Sequence, residues 1–167
     1  MKVYVMSGIP GAGKSTWVNT HVVREFPRER VVVCSADHYH VNDQGEYQWR
    51  AEFAAKAHAL CLDKFLRALR DCAEYRRTTQ GGELLDALVC DNTNVRAWEA
   101  SPYVRLAELF GYDCEVVRVY CEPVLAVSRN THKVPLERVM QMYRAFTDND
   151  FPGHWKVRGV VGMPWSA

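Results

Sequence analysis

Gly8-Ile9-Pro10-Gly11-Ala12-Gly13-Lys14-Ser15-Thr16 follows the short apolar run Val3 to Ser7 and precedes a stretch in which Trp17, Val18, His21, Val22 and Phe26 recur at helical spacing. The segment matches G-x-x-x-x-G-K-[ST] at every fixed position, in the strand–loop–helix setting that a phosphate-binding loop requires. Glycines let the backbone approach phosphate oxygens without side-chain clash. Successive amide N–H groups then converge at the start of a helix, where the dipole favours anions. Lys14 has the reach for the β- and γ-phosphates, the Ser15 hydroxyl suits Mg²⁺, and Thr16 can reach the α-phosphate. Gly8, Pro10, Gly11, Ala12, Gly13, Lys14, Ser15 and Thr16 are therefore the expected nucleotide-binding residues, with ATP or another nucleoside triphosphate as ligand.

The pattern around this loop alternates strands and helices. Val31 to Cys34 reads as a second buried strand, Ala87 to Cys90 as a third and Cys114 to Tyr120 as a fourth. Helical periodicity runs from Gln48 to Tyr75, with Phe53, Ala57, Leu60, Cys61, Lys64, Phe65 and Ala68 along one side, and from Trp98 to Phe110, where Gly111 stops it. Pro123 to Asn130 and Pro135 to Phe146 are shorter helices, the second with the apolar stripe Leu136, Val139, Met140 and Tyr143. Asn42, Asp43 and Gly45 mark a loop. Phe151, Trp155 and Trp165 could pack in the tail, which offers an edge strand near Lys156 to Val161. Such alternation implies a three-layer α/β domain of the P-loop NTPase type, with a parallel sheet of about four or five strands covered on both faces. The 167 residues fit one domain, with no internal repeat or separating linker.

Two acids stand where ligands gather in such sheets, at the C-terminal ends of strands. Asp37 lies just past the second strand, in Ser35-Ala36-Asp37, where it can accept a hydrogen bond from an acceptor hydroxyl. The alternative is a turn or helix-cap residue. Asp91 follows Ala87-Leu88-Val89-Cys90, the Walker B layout in which a carboxylate holds Mg²⁺. Ser15 and Asp91 are thus the expected metal residues, while Thr93 or Asn94 is expected to cap the next helix.

Lys and Arg total 21 against 20 Asp and Glu, a net charge of +1 that denies any broad pull on long nucleic acid but permits a local basic groove. The six cysteines, at 34, 61, 72, 90, 114 and 121, show neither a Cys-x-x-Cys pair nor zinc spacing, and read as buried thiols of a reducing compartment. MKVYVMSG is too short and polar for a signal peptide, and no apolar run approaches the ~18 residues of a membrane span. A cytoplasmic protein without membrane contact is expected.

Four segments in order, SGIPGAGKSTW, SADHY, CDNTN and RNTHKVPLERVMQMYRAF, resemble the polynucleotide 5′-kinase branch of the P-loop kinases. The resemblance covers most of the chain. It implies that Asp37 is the general base, that Lys14, Ser15 and Thr16 hold triphosphate and metal, and that residues from about 129 to 147 form a helical lid whose Arg129 neutralises charge on the transferred group. Arg138 and Arg144 read as surface charges. Two positions depart from the family. Thr131-His132-Lys133 fills a shorter lid loop that lacks a second arginine, and His40 stands where an arginine would touch the acceptor's phosphate. Asp37, His40 and His132 are the expected acceptor-binding residues, and Asp37, Lys14 and Arg129 the catalytic ones. The implied activity is ATP-dependent transfer to a hydroxyl, with a polynucleotide 5′ end as the favoured acceptor. A nucleoside, nucleotide-sugar or other small molecule is the first alternative, and a nucleotide-dependent switch without transfer the second.

Overall fold

A computed structural model describes residues 1–42 and 44–162; Asp43, Pro164 and Trp165 lie outside them. Strands β1 (Lys2–Ser7), β2 (Val31–Cys34), β3 (Ala87–Cys90), β4 (Asp113–Tyr120) and β5 (Lys156–Val161) form one sheet in the order β2-β3-β1-β4-β5, every neighbour parallel. β1 is central, with Val3 in register with Leu88 on one side and Cys114 on the other. The connection from β3 to β4 crosses β1, so the strand order reverses beside the C-terminal end of β1, where the glycine loop begins. The tail segment Lys156–Val161 is the fifth strand, at the edge beyond β4.

Alternation along the strands separates two cores. Val3 and Val5 face one layer, with Leu88 and Val116, against helices α2 (Ala51–Thr78) and α3 (Ala97–Leu109). Tyr4 and Met6 face the other, with Val89 and Val117, against α1 (Lys14–Val18) and α5 (Leu136–Thr147). A short helix α4 (Pro123–Arg129) joins β4 to this second layer through Ala126. α2 buries Ala57, Cys61, Phe65, Leu69 and Cys72, a stripe at intervals of three and four residues. Phe65 meets the Tyr103 ring edge-on at 5.1 Å. Phe65→Ala, which empties a fully buried ring position, is expected to lower unfolding stability by roughly 3–5 kcal/mol, readable from the denaturant midpoint at constant slope.

In α5, Val139 is buried and Met142 and Tyr143 pack beside it, while Leu136 of the expected stripe is exposed. The first helix departs further from its sequence pattern. After Val18 it widens into a π turn over Asn19–Val23. Thr20 Oγ1 donates to the carbonyls of Thr16 (2.9 Å) and Trp17 (3.2 Å), and the His21 ring stacks on Trp17 with its Nδ1 3.1 Å from the same Trp17 oxygen. Side chains thus compete for the acceptors that an α-turn would use. All six cysteines are free, and Cys34, Cys61, Cys72 and Cys90 are buried. Among the described residues, no helix is long and apolar enough to cross a membrane.

Candidate active site

The glycine loop spans the end of β1 and the start of α1. Gly8, Ala12 and Lys14 are buried, Pro10, Gly11, Gly13 and Thr16 half-buried, and Ser15 exposed. Gly13 takes φ 97° as the residue preceding α1, and Gly11 takes φ 77°. A Cβ on Gly11 would lie 2.0 Å from the carbonyl oxygen of Ala126, so the loop and the α4 backbone touch where no side chain fits. The N–H groups of the first turn of α1 have no partner within the helix and are available to an anion. Lys14 folds back over the loop, its ammonium donating to Gly8 O (3.1 Å) and Ile9 O (3.0 Å). Burial pulls its pKa down, and the Asp91 and Asp37 carboxylates act in the opposite sense. Both acids therefore share the electrostatic surroundings of Lys14.

Ser15 Oγ donates to Asp91 Oδ2 at 2.6 Å, which joins the loop to the end of β3. The second oxygen, Asp91 Oδ1, is buried without a hydrogen-bond partner among the described residues. An orphaned carboxylate oxygen next to a hydroxyl suits a hard divalent cation that takes oxygen ligands, so these residues fit Mg²⁺.

The four residues after β3, Asp91 to Asn94, form a strap across the ends of β1 and β2. Gly8 N donates to Thr93 O (2.8 Å), Ser7 Oγ to Asn94 O (2.9 Å), and Asn94 Nδ2 to Met6 O (2.9 Å). Asn92 Oδ1 accepts from Ala36 N at 2.9 Å, fixing the turn that carries Asp37. The expected capping by Thr93 or Asn94 is corrected here: α3 starts after Arg96, and Asn94, at φ 37°, spends its amide on β1. Asn92 and Asn94 tie the ends of β2 and β1 to this strap, and their only sequence signal is the run CDNTN itself.

Asp37 sits in the 3₁₀ turn Ala36–Tyr39, with its side chain 49% exposed. Tyr47 Oη donates to its Oδ1 at 3.3 Å, and His132 Nε2 lies 3.5 Å from its Oδ2. The Tyr47 and His132 rings are in contact, with centroids 4.0 Å apart. Burial, with Asp37 adding to it, pushes the Tyr47 phenol well above its ordinary pKa, so it is a neutral donor. Sequence reading had no signal for Tyr47, which lies beyond a glycine-containing loop.

His132 comes from the turn after α4. Arg129 closes α4, one helical turn from Ala126, so it stands on the stretch of helix that meets Gly11. The segment Ala126 to His132 thereby runs from the nucleotide loop to Asp37. His40 needs correction. It was expected to reach a phosphate, but it is 4% exposed beneath the rings of Tyr47, Trp49 and Phe53, with centroids at 6.2, 6.4 and 5.8 Å. Burial pulls its pKa down, and no charge is presented outward from this position.

The sequence model of the AAA domain family matches residues 3–148, from β1 through the end of α5. The chain belongs to this family. Human NEDD4-binding protein 2 is 25% identical over an alignment 146 residues long, which covers 83% of this chain but 7% of the human protein. The chain thus spans a small fraction of that relative. A gluconokinase from Sinorhizobium meliloti 1021 superposes with a TM-score of 0.56 at 13% identity, over 98% of this chain and 83% of the other. A chain of the PezAT toxin–antitoxin system of Streptococcus pneumoniae superposes with a TM-score of 0.55 at 15% identity, over 84% of this chain and 53% of that one. At such identities the likeness is one of fold: this AAA domain has the α/β architecture of P-loop kinases, a five-stranded parallel sheet with helices on both faces.

Proposed function

We propose that this single domain transfers the γ-phosphoryl of ATP, or of another nucleoside triphosphate, directly to a hydroxyl, and that the hydroxyl is the 5′ end of a polynucleotide. The observation that carries the transfer reading is the convergence at Asp37. A half-exposed carboxylate lies within the electrostatic reach of Lys14, and His132, from the segment proposed as the lid (129–147), closes on it at 3.5 Å. A nucleotide switch has no need of a carboxylate placed so. Asp37 orients the acceptor hydroxyl and takes its proton as the new O–P bond forms. The bond from the γ-phosphorus to the bridging oxygen breaks, and the diphosphate departs. Lys14 holds the β- and γ-phosphates, and Arg129 balances the charge that spreads over the transferred group. Ser15 and Asp91 would hold Mg²⁺, which supplies charge neutralisation of the triphosphate.

The polynucleotide acceptor is supported by the four ordered segments that resemble the 5′-kinases, and by the combination of Asp37, lid arginine and lid helix. A small-molecule acceptor is the second reading, favoured by the net charge of +1 and by the fold shared with a gluconokinase. Incubation with γ-labelled ATP, a 5′-hydroxyl oligonucleotide, its 5′-phosphorylated counterpart, a nucleoside panel and gluconate separates the two. The expected result is label on the 5′-hydroxyl oligonucleotide and none on the phosphorylated one. Label confined to nucleosides or gluconate refutes the polynucleotide reading and keeps the kinase; no label on any acceptor, with nucleotide bound, refutes transfer.

A further inference from the structure

Between Asp37 and α2 lies a group of rings that phosphoryl transfer itself does not use. Val41 and Tyr47 form an antiparallel bridge, and the Tyr47 and Trp49 rings both rest on the buried His40 imidazole, so they lie on one side of this segment. Trp49 is 58% exposed although its ring contacts the buried His40. Phe53, a third ring against His40, carries two cations. The Arg50 guanidinium and the Lys56 ammonium lie over the Phe53 ring, 5.5 and 5.4 Å from its centroid. Around the buried His40 are thus grouped Tyr47, which reaches Asp37 and meets His132, the exposed Trp49, and Phe53 with the Arg50 and Lys56 charges over it.

Taking Asp37 as the group that orients the acceptor hydroxyl, we propose that Tyr47 and Trp49 form the platform on which a base of a single-stranded 5′-hydroxyl acceptor stacks, and that Arg50 and Lys56 hold the phosphates that follow. Every base has a π-face, so such a platform grips nucleic acid with little regard to sequence. The planar fork of Arg50 makes the bidentate phosphate contact that the buried His40 cannot. Two local cations suit a short grip on a chain end and are compatible with a near-neutral protein. A sugar acid without a base would leave both rings idle.

The test compares the kcat/KM of a 5′-hydroxyl hexanucleotide with that of the same strand whose two 5′-terminal residues are abasic, for wild type, Trp49→Ala, Trp49→Leu and Trp49→Phe. Wild type is expected to favour the base-bearing strand by about 5- to 100-fold, mostly through KM. Trp49→Ala and Trp49→Leu should erase most of this preference, and Trp49→Phe should keep most of it. Trp49→Leu keeps an apolar cover over His40, so a loss shared with Trp49→Ala reports the ring rather than local unfolding. If both ring-less variants keep the wild-type preference, or if wild type treats the two strands alike, the platform is refuted while the 5′-hydroxyl reading stands. If wild type labels neither strand but labels a base-free small molecule in an Asp37-dependent way, the polynucleotide acceptor fails and the platform falls with it.

Discussion

Asp37→Asn is expected to lower kcat for phosphoryl transfer by about 10²- to 10⁴-fold while the Kd for ATP stays within about threefold. The substitution is nearly isosteric. Tyr47 can still donate to the Oδ1 position at 3.3 Å, and Asn92 still ties the turn through Ala36 N, so the geometry around residue 37 is retained. What disappears is the anionic oxygen that receives the proton. The loss should therefore appear in single-turnover rates and not in nucleotide binding measured by calorimetry. Retention of transfer within tenfold of wild type would remove Asp37 from the base role. Loss of ATP affinity would show instead that the carboxylate matters through its charge near Lys14.

The second large effect is expected at Arg129. Arg129→Ala should reduce kcat by about 10³-fold or more with little change in ATP affinity, since an arginine of this kind acts mainly on charge that develops in the transition state. Arg129→Lys should recover only part of the rate, because an ammonium lacks the planar fork. The two replacements together have a distinctive signature. A guanidinium acting on the transferred group gives alanine, lysine and arginine in rising order of kcat at similar Kd. An arginine that only finishes α4 gives three enzymes of similar kcat and different melting temperatures.

The sequence carried the sheet well because each central strand is a short apolar run bounded by a turn residue. Ala87-Leu88-Val89-Cys90 before Asp91 became β3 with those boundaries, and the glycine loop between Ser7 and Lys14 occupies the end of β1. The partnership of Ser15 with Asp91 was likewise legible, since both stand at fixed places relative to strand ends, and the structure puts them 2.6 Å apart. What escaped was the segment from His40 to Arg50. Its structure depends on contacts among rings brought together by a loop, and no periodicity marks them. The burial of His40, the bond from Tyr47 to Asp37 and the exposure of Trp49 all follow from that loop. The π turn after Val18 escaped for a related reason. Hydrophobic spacing reports which face is buried, and it is silent about hydroxyls and imidazoles that compete for backbone carbonyls.

The contact between Gly11 and Ala126 has a mechanical consequence. Two stretches of main chain that meet without an intervening side chain leave no soft material to compress, so α4 must travel with the nucleotide loop as one piece. Beyond Arg129 the chain turns, with Lys133 at φ 53° and Asn130 bracing the main chain through Val134 O and His132 N. The backbone at the end of α4 is thereby tied to the glycine loop, three residues before the His132 imidazole that meets Asp37.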